Sequence, residues 1–150
     1  MLRKAIIKDV EKMWKLINLY ADKRQMLPRS LSELYENLRD FYVYTENDQL
    51  LGCGALHITW GDYGEILSFA VEAEKARQGI GSEILKACEQ EARALGLAKI
   101  FTLTYVPEFF EKHGFVRVDK ATLPHKIWSM CIKCPKFPIC DEIPLVKELG

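Results

Sequence analysis

The fold is decided by residues 69–82, which read Phe-Ala-Val-Glu-Ala-Glu-Lys-Ala-Arg-Gln-Gly-Ile-Gly-Ser. An apolar run ends near Val71, a Gly-Ile-Gly turn follows at residues 79–81, and an amphipathic helical pattern then continues to Leu95. Glycines let an anion approach the main chain, and the amides at the start of a helix attract negative charge. The pattern favours a phosphate-binding turn, with an ordinary tight turn before a helix as the alternative.

Two better-known phosphate motifs do not fit this turn. A P-loop requires Gly-Lys-Ser or Gly-Lys-Thr, and neither is present. A Rossmann turn requires a third glycine at fixed spacing and a place early in the chain, whereas this turn follows several strand-like segments. The turn therefore predicts anion binding of another kind, for which a pyrophosphate is the natural ligand.

Outward from the turn, segments with strand and helix patterns alternate over residues 1–150. Predicted strands cover 2–7, 41–45, 50–60, 65–71 and 100–104, with another that begins at Gly114. Predicted helices start after Asp9, at the Ser30/Glu33 capping box, near Ile80 and at Pro107. The order predicts one α/β (α+β) domain with a mixed sheet flanked by helices, followed from about residue 120 by a Cys- and Pro-rich tail.

The composition limits the partners. Lys plus Arg equals Asp plus Glu at 21 each, and this zero net charge argues against a nucleic-acid or membrane binder. The N-terminal apolar run is too short for a secretory signal, and no run approaches the ~20 residues of a membrane span. We therefore expect a cytoplasmic protein whose five cysteines are thiols or metal ligands.

Two motifs carry a family resemblance. Residues 71–85 resemble the acetyl-CoA motif of GNAT N-acetyltransferases, Arg/Gln-x-x-Gly-x-Gly/Ala, and residues 107–115 (Pro-Glu-Phe-Phe-Glu-Lys-His-Gly-Phe) resemble the family's FYxKxGF element. More narrowly, the chain resembles the acetyltransferase domain of N-acetylglutamate synthase. The matching stretches are residues 27–30, 64–66 leading to 70–71, 101–104, 109–115, and 118–120 with 123–126. The amino-acid-kinase-like domain of the classical synthase has no counterpart here, so the resemblance is to the short, stand-alone form.

This resemblance implies direct attack of an amine on the thioester of acetyl-CoA in a ternary complex, with L-glutamate as the acceptor, as in arginine biosynthesis. It implies that main-chain groups next to the turn hold acetyl-CoA, that Arg77 adds charge, and that the amide of Val71 donates to the thioester oxygen. The cofactor-binding residues expected on this basis are Phe69, Ala70, Val71, Arg77, Gln78, Gly79, Ile80, Gly81, Ser82 and Phe110.

The chain departs from the family pattern at two positions. Ala76 stands where the motif usually has Arg or Gln, and Arg77 and Gln78 lie beside it. Phe110 stands where many members have a tyrosine that acts as the general acid. Because a phenyl ring has no ionisable proton, another group or water must protonate the leaving thiolate.

We expect Glu65 to be the general base, acting directly or through water, because it matches a glutamate position of the synthases. It lies four residues before Phe69, which predicts that both side chains share one face of the sheet. Apolar neighbours would raise its pKa, as a base requires. Tyr105, just past a strand, is the candidate acid. The alternatives are an exposed strand glutamate and a packing tyrosine.

The acceptor pocket needs cations for the carboxylates of glutamate. Arg29 is the first candidate, since a guanidinium binds a carboxylate with two hydrogen bonds, and Lys126 is the second. The alternative for each is a solvated surface charge. The sequence shows no acidic clustering around Arg29, which favours an anionic acceptor.

The tail contains Cys131, Cys134 and Cys140, and Cys-x-x-Cys is typical of half of a zinc or iron–sulfur site. His125 or Asp141 would have to complete the set; the alternatives are a packed Pro-Cys tail or a redox pair. We expect Cys53 and Cys88 to be core residues, with a covalent acetyl-cysteine as a minor alternative. His57 and His113 are expected to be structural or exposed rather than catalytic.

Two other functions fit the same motifs. The acceptor could be another amine, such as a different amino acid, a polyamine or a protein N-terminus. A protein that binds acyl-CoA as a sensor without turnover is the second alternative, which Ala76 and Phe110 keep open. A homodimer is compatible with the family, but no stretch of the sequence specifies an interface.

Overall fold

One mixed sheet organises the computed structural model, which describes residues 1–23, 26, 28–73, 78–123 and 142–150. Among these residues seven strands pair in the order β1-β2-β3-β4-β5-β7-β6, and only β4 and β5 pair in parallel. The strands are β1 (Leu2–Lys4), β2 (Phe41–Glu46), β3 (Gln49–Trp60), β4 (Tyr63–Val71), β5 (Lys99–Thr104), β6 (Val116–Arg117) and β7 (Ile143–Glu148). The predicted α/β fold with a mixed sheet is confirmed.

Helices cover both faces of this sheet. They are α1 (Val10–Asp22), α2 (Leu31–Glu36), α3 (Ile80–Ala94) and α4 (Pro107–Glu111). Met13 and Ile17 of α1 pack with Leu34 of α2 and with strand residues on one face. Ile84 and Leu85 of α3 pack on the other face with buried strand residues that include Ile66. Apolar residues at helical spacing in α1, α2 and α3 thus form the two halves of the core, although Trp14, Tyr35 and Leu95, which the same spacing placed with them, are exposed.

Most element boundaries agree with the sequence, and the disagreements have local causes. The Ser30 capping box is confirmed, since the Ser30 hydroxyl accepts a hydrogen bond of 3.1 Å from the amide of Glu33. The first strand was predicted too long, because it ends at Lys4 and a 3-10 turn follows at Ile7–Asp9. Asp9 makes no side-chain cap to α1; its carboxylate instead bonds Arg3 at 2.7 Å.

Strand β7 was missed entirely. The sequence from Lys120 onward is Pro- and Cys-rich with weak periodicity, and Pro144, which cannot donate to a sheet, lies inside this strand. In the structure β7 nevertheless pairs with β5 along its whole length, from Ile143 to Glu148. The carbonyl oxygen of Pro144 still accepts, from the amide of Val118 at 3.0 Å. No helix among the described residues is long and apolar enough to cross a bilayer.

Candidate active site

Strands β4 and β5 separate in the middle of the sheet. Their parallel pairing runs from Tyr63–Lys99 to Glu65–Phe101 and no further, although both strands continue to Val71 and Thr104. The Thr102 hydroxyl donates to the carbonyl oxygen of Ile66 at 2.9 Å, just beyond the last pair. Past that point β5 no longer pairs with this edge of β4, and a side chain, the Tyr20 hydroxyl, donates to the carbonyl oxygen of Val71.

A β-bulge at Ser68 accompanies the separation. The β3–β4 register changes between Cys53–Ala70 and Ala55–Leu67, which places one extra residue in β4. Ser68 has a φ of 52°, a left-handed backbone conformation that residues other than glycine rarely adopt. The bulge bends β4 away from the regular sheet at the place where its partner on the other side is lost.

The bulge also corrects one prediction about Glu65. We expected Glu65 and Phe69 to share a face, because four residues in a regular strand restore the same side. Leu67, two residues after Glu65 in unbroken register, packs on the α1/α2 face, whereas Phe69 packs on the α3 face. The extra residue reverses the alternation, so Glu65 and Phe69 lie on opposite faces.

A cavity of about 390 Å³, which we call the slot, occupies this gap and reaches both faces of the sheet. Its walls come from α1, α2's leading loop, β4, β5, the start of α3, α4 and the residue before β7. The lining residues are Tyr20, Met26, Arg29, Glu65, Ile66, Leu67, Ser68, Phe69, Ala70, Val71, Gly81, Thr102, Leu103, Thr104, Val106, Phe109, Phe110 and Glu142. Two ligands that approach from opposite faces can meet in such a slot.

Glu65 has the properties of a base at neutral pH. Its pKa is raised to about 7, mainly by burial; the charges of Arg29 and His57 oppose the rise, and the charge of Glu142 adds to it. The Glu65 side chain is only partly buried, and it lines the slot. A carboxylate whose pKa lies near 7 is ionised in part at neutral pH and still binds a proton well, as general-base catalysis requires.

Arg29 lies in the same slot on the α1/α2 face. Its Nε donates to the Ser68 hydroxyl at 3.0 Å, and its Nη1 lies 3.2 Å from a carboxylate oxygen of Glu33. These bonds fix the guanidinium beside the bulge. The predicted lack of acidic clustering around Arg29 is wrong in three dimensions, because Glu33 pairs with it and Glu65 and Glu142 line the same slot.

The other end of the slot meets the start of α3. Gly79, the residue before the helix, has a φ of 80°, which favours glycine. A Cβ on Gly81 would lie 3.2 Å from the ring of Phe109, so glycine allows this ring to lie against the helix. The Ser82 hydroxyl lies 3.1 Å from Nε2 of His113. The first amides of this 15-residue helix thus lie next to the slot, as anion binding requires.

The remaining predicted site residues are distributed as follows. Ala70 and Phe110 line the slot and are buried, and Phe110 packs against the ring of Phe69 with centroids 5.9 Å apart. The slot is lined by Thr104 and Val106 but not by Tyr105 between them, so the acid role of Tyr105 stays a prediction without support from the cavity. Arg77, Ala76, Lys126 and the three tail cysteines lie outside the described residues, and so does the predicted metal site.

Sequence reasoning missed several residues of the slot, and three of them contribute polar groups that bear on its chemistry. Glu142 is buried, and its charge raises the pKa of Glu65. It lies 77 positions later in the chain, in a stretch with no recognisable motif. Ser68 is an ordinary residue in an apolar strand, with no glycine to mark the bulge. Tyr20 lies in the last turns of α1, and its hydroxyl donates to the carbonyl oxygen of Val71, a contact that no local pattern indicates.

Among the described residues no three His, Cys, Asp or Glu side chains cluster as metal ligands. The two described cysteines, Cys53 and Cys88, are buried free thiols. Burial raises the pKa of each to about 12, so neither is a thiolate at neutral pH. These two thiols therefore do not suit a covalent acetyl-cysteine mechanism.

Comparison with known proteins agrees with this geometry. The model of the GNAT acetyltransferase family matches residues 7–115. An uncharacterized N-acetyltransferase of Chlorobaculum tepidum is 34% identical over 99% of the chain and 96% of its own length. An amino-acid acetyltransferase of Mycobacterium tuberculosis is 37% identical over 87% of the chain and 76% of its own length.

Solved structures give the same result in three dimensions. A Mycobacterium tuberculosis protein in complex with CoA and NLQ matches all of the chain and 99% of its own, with a TM-score of 0.87 and 30% identity. N-acetylglutamate synthase of Neisseria gonorrhoeae, complexed with CoA and N-acetyl-glutamate, matches with a TM-score of 0.88 and 25% identity, and the chain spans 35% of it. With its separated strands, its glycine turn and these relatives, the chain belongs to the GNAT acetyltransferase family and is an acetyl-CoA-dependent N-acetyltransferase.

Proposed function

We propose that the protein transfers the acetyl group of acetyl-CoA to the α-amine of L-glutamate, the reaction that begins arginine biosynthesis. The observation that carries the proposal is that Glu65 and Arg29 line one slot, and that this slot ends at the glycine turn of α3. A base, a carboxylate-binding cation and an anion-binding helix start are thereby joined in one cavity.

The donor fits the α3 face. The edge of β4 that β5 leaves unpaired offers main-chain groups of Phe69 and the amide of Val71 to an extended amide-containing arm, and the amides of residues 78–82 offer donors to a pyrophosphate. Gly79 and Gly81 keep side chains away from that approach. When bound, acetyl-CoA supplies the thioester carbonyl carbon that the amine attacks.

The acceptor fits the α1/α2 face. The guanidinium of Arg29 is held by Ser68 and Glu33 and suits one carboxylate of an amino acid. Glu65 suits the ammonium group, from which it takes the proton that must leave before attack. The relatives named amino-acid acetyltransferase and the synthase structure with N-acetyl-glutamate support an amino-acid acceptor, and Lys126 stays a further proposed contact.

The chain's own groups account for the steps of direct transfer. Glu65 accepts the amine proton, the amide of Val71 is the proposed donor to the thioester oxygen, and water or Tyr105 protonates the departing thiolate. Because Phe110 is buried against Phe69 and Phe115, it serves as a wall of the slot and not as an acid.

One observation favours a second acceptor class. Glu142 adds a second carboxylate to the slot beside Glu65, and two carboxylates with one arginine also suit a small cationic amine. A polyamine or a basic amino acid is therefore the alternative acceptor.

Kinetics of Arg29 variants test the acceptor assignment. We expect Arg29→Ala to raise the KM for L-glutamate and to leave the KM for acetyl-CoA near that of the unchanged protein, because the guanidinium lies on the acceptor face. Arg29→Lys keeps the charge but not the paired hydrogen bonds, so its KM for L-glutamate should lie between those of the unchanged protein and Arg29→Ala. An unchanged KM for L-glutamate in Arg29→Ala would remove Arg29 from the acceptor site.

A further inference from the structure

A second polar cluster lies beside the slot on the α1/α2 face, and the reaction as described does not use it. The imidazole Nδ1 of His57 lies 2.6 Å from a carboxylate oxygen of Asp40, in the 3-10 turn Leu38–Asp40 before β2. The two side chains are 39% and 28% exposed, so water does not fully screen the pair.

The sheet register brings this pair next to the candidate base. His57 of β3 is the direct partner of Glu65 of β4 in the antiparallel ladder, so both side chains project from the same face. Residues directly opposite in such a ladder have Cβ atoms about 4.5–5.5 Å apart. A small cavity of about 150 Å³ contains Asp40 and His57 and shares Arg29, Leu67 and Ser68 with the slot.

The charges around the two groups come from several elements. Among the described residues, Arg29, Glu33 and Asp40 line the small cavity with His57. Glu65 is faced by His57, Arg29 and Glu142, and Tyr20 lies in the same slot. The hydrogen bond that the imidazole donates to the Asp40 carboxylate is the main reason that the pKa of His57 is raised. The imidazole therefore carries positive charge at a pH where a free histidine would have lost it.

We propose that His57, held by Asp40, is the positioning residue of Glu65, and that its charge sets the pH at which this base becomes active. The inference rests on the proposed role of Glu65. A fixed cation directly opposite a carboxylate stabilises the ionised form, which opposes the cost of burying that charge. Because the two groups interact, they titrate as a pair.

The test is the pH profile of kcat/KM in three variants. His57→Gln removes the charge. We expect the acid limb, the low-pH side of the profile where kcat/KM falls as Glu65 is protonated, to move up by about one pH unit. This shift lowers kcat/KM about tenfold at pH 6 and little at pH 8.5. His57→Arg keeps a permanent cation and should hold the limb at or below its original position. Asp40→Asn should move the limb in the same direction as His57→Gln. An equal loss at every pH in His57→Gln would mean a merely structural role and would overturn the proposal.

A second measurement needs no turnover. The chain has three histidines, so the NMR titration of His57 is readily assigned by substitution. Coupling is reciprocal, and Glu65→Gln should therefore lower the pKa of His57 while leaving His113 unchanged. An unmoved His57 would refute the coupling. If His57 moves but Glu65→Gln keeps full activity and its acid limb, the proposed base is wrong while the His57–Glu65 pairing stands.

Discussion

Replacing Glu65 with glutamine should make the protein more stable at alkaline pH while it removes the base. The pKa of Glu65 is raised from 4.5 to about 7, mainly by burial. The folded state therefore holds a proton between these two pH values that the unfolded state has released. Stability must fall as the pH rises through this window, because the folded carboxylate must ionise in a partly desolvated site.

The magnitude follows from the pKa. One pKa unit corresponds to about 1.4 kcal/mol, so the ionised carboxylate destabilises the fold by about 3 kcal/mol at pH 8. The slot admits some water to Glu65, which reduces the expected gain for Glu65→Gln to about 1 to 3 kcal/mol. Urea denaturation at several pH values between 4.5 and 8.5 measures the difference, which should vanish near pH 4.5 and reach its full value above pH 7.

The matched control is Glu46→Gln, which changes an exposed glutamate at the end of β2 in the same way. We expect no comparable pH-dependent gain there. If Glu65→Gln is no more stable than the unchanged protein at pH 8, or if its advantage is the same at pH 4.5 and pH 8, Glu65 does not carry a burial-raised pKa and the reasoning about the base fails.

Three further outcomes follow from single contacts. Arg29→Ala should raise the KM for the amino-acid acceptor between about 10-fold and 100-fold, which is the usual value of a charged hydrogen bond, as steady-state kinetics would show. Gly81→Val should raise the KM for acetyl-CoA about tenfold, because its Cβ would press on the ring of Phe109, 3.2 Å away; an unchanged KM in a folded variant would contradict this. Asp9→Ala should cost about 3 kcal/mol of unfolding free energy at pH 7, since it leaves Arg3 without its buried partner. Burial tends to raise the pKa of Asp9, but the bonds from Arg3 and Ile6 lower it overall, so this stabilisation should be present above pH 4 and lost below it in urea titrations.

The parts of the fold that sequence reasoning predicted are those with local causes. The Ser30 capping box, the helical stripe that begins at Ile80 and the strand run up to Val71 each depend on neighbouring residues, and each is present in the structure. The glycine turn and the helix start behind it were predictable for the same reason, because they are contiguous in the chain, and their role in binding acetyl-CoA stays a prediction.

The acceptor side depends on contacts between remote residues. Glu142 comes close to Glu65 only because β7 inserts beside β5, and the weak periodicity of the tail sequence does not indicate that strand. The bulge at Ser68 reversed the face of Glu65 relative to Phe69 without any residue that marks it in the sequence. The Asp40–His57 pair joins a turn to a strand 17 positions away, which no periodicity indicates.

The most direct test of the proposed reaction is to mix the purified protein with acetyl-CoA and a panel of amino acids and amines. Release of free thiol is followed for each acceptor, and the products are identified by mass. We expect release with L-glutamate and a product heavier by one acetyl group on its α-nitrogen. Release only with a polyamine or a basic amino acid would contradict the L-glutamate assignment and favour the cationic acceptor that Glu142 suggests. Binding of acetyl-CoA without release for any acceptor would contradict an enzymatic role.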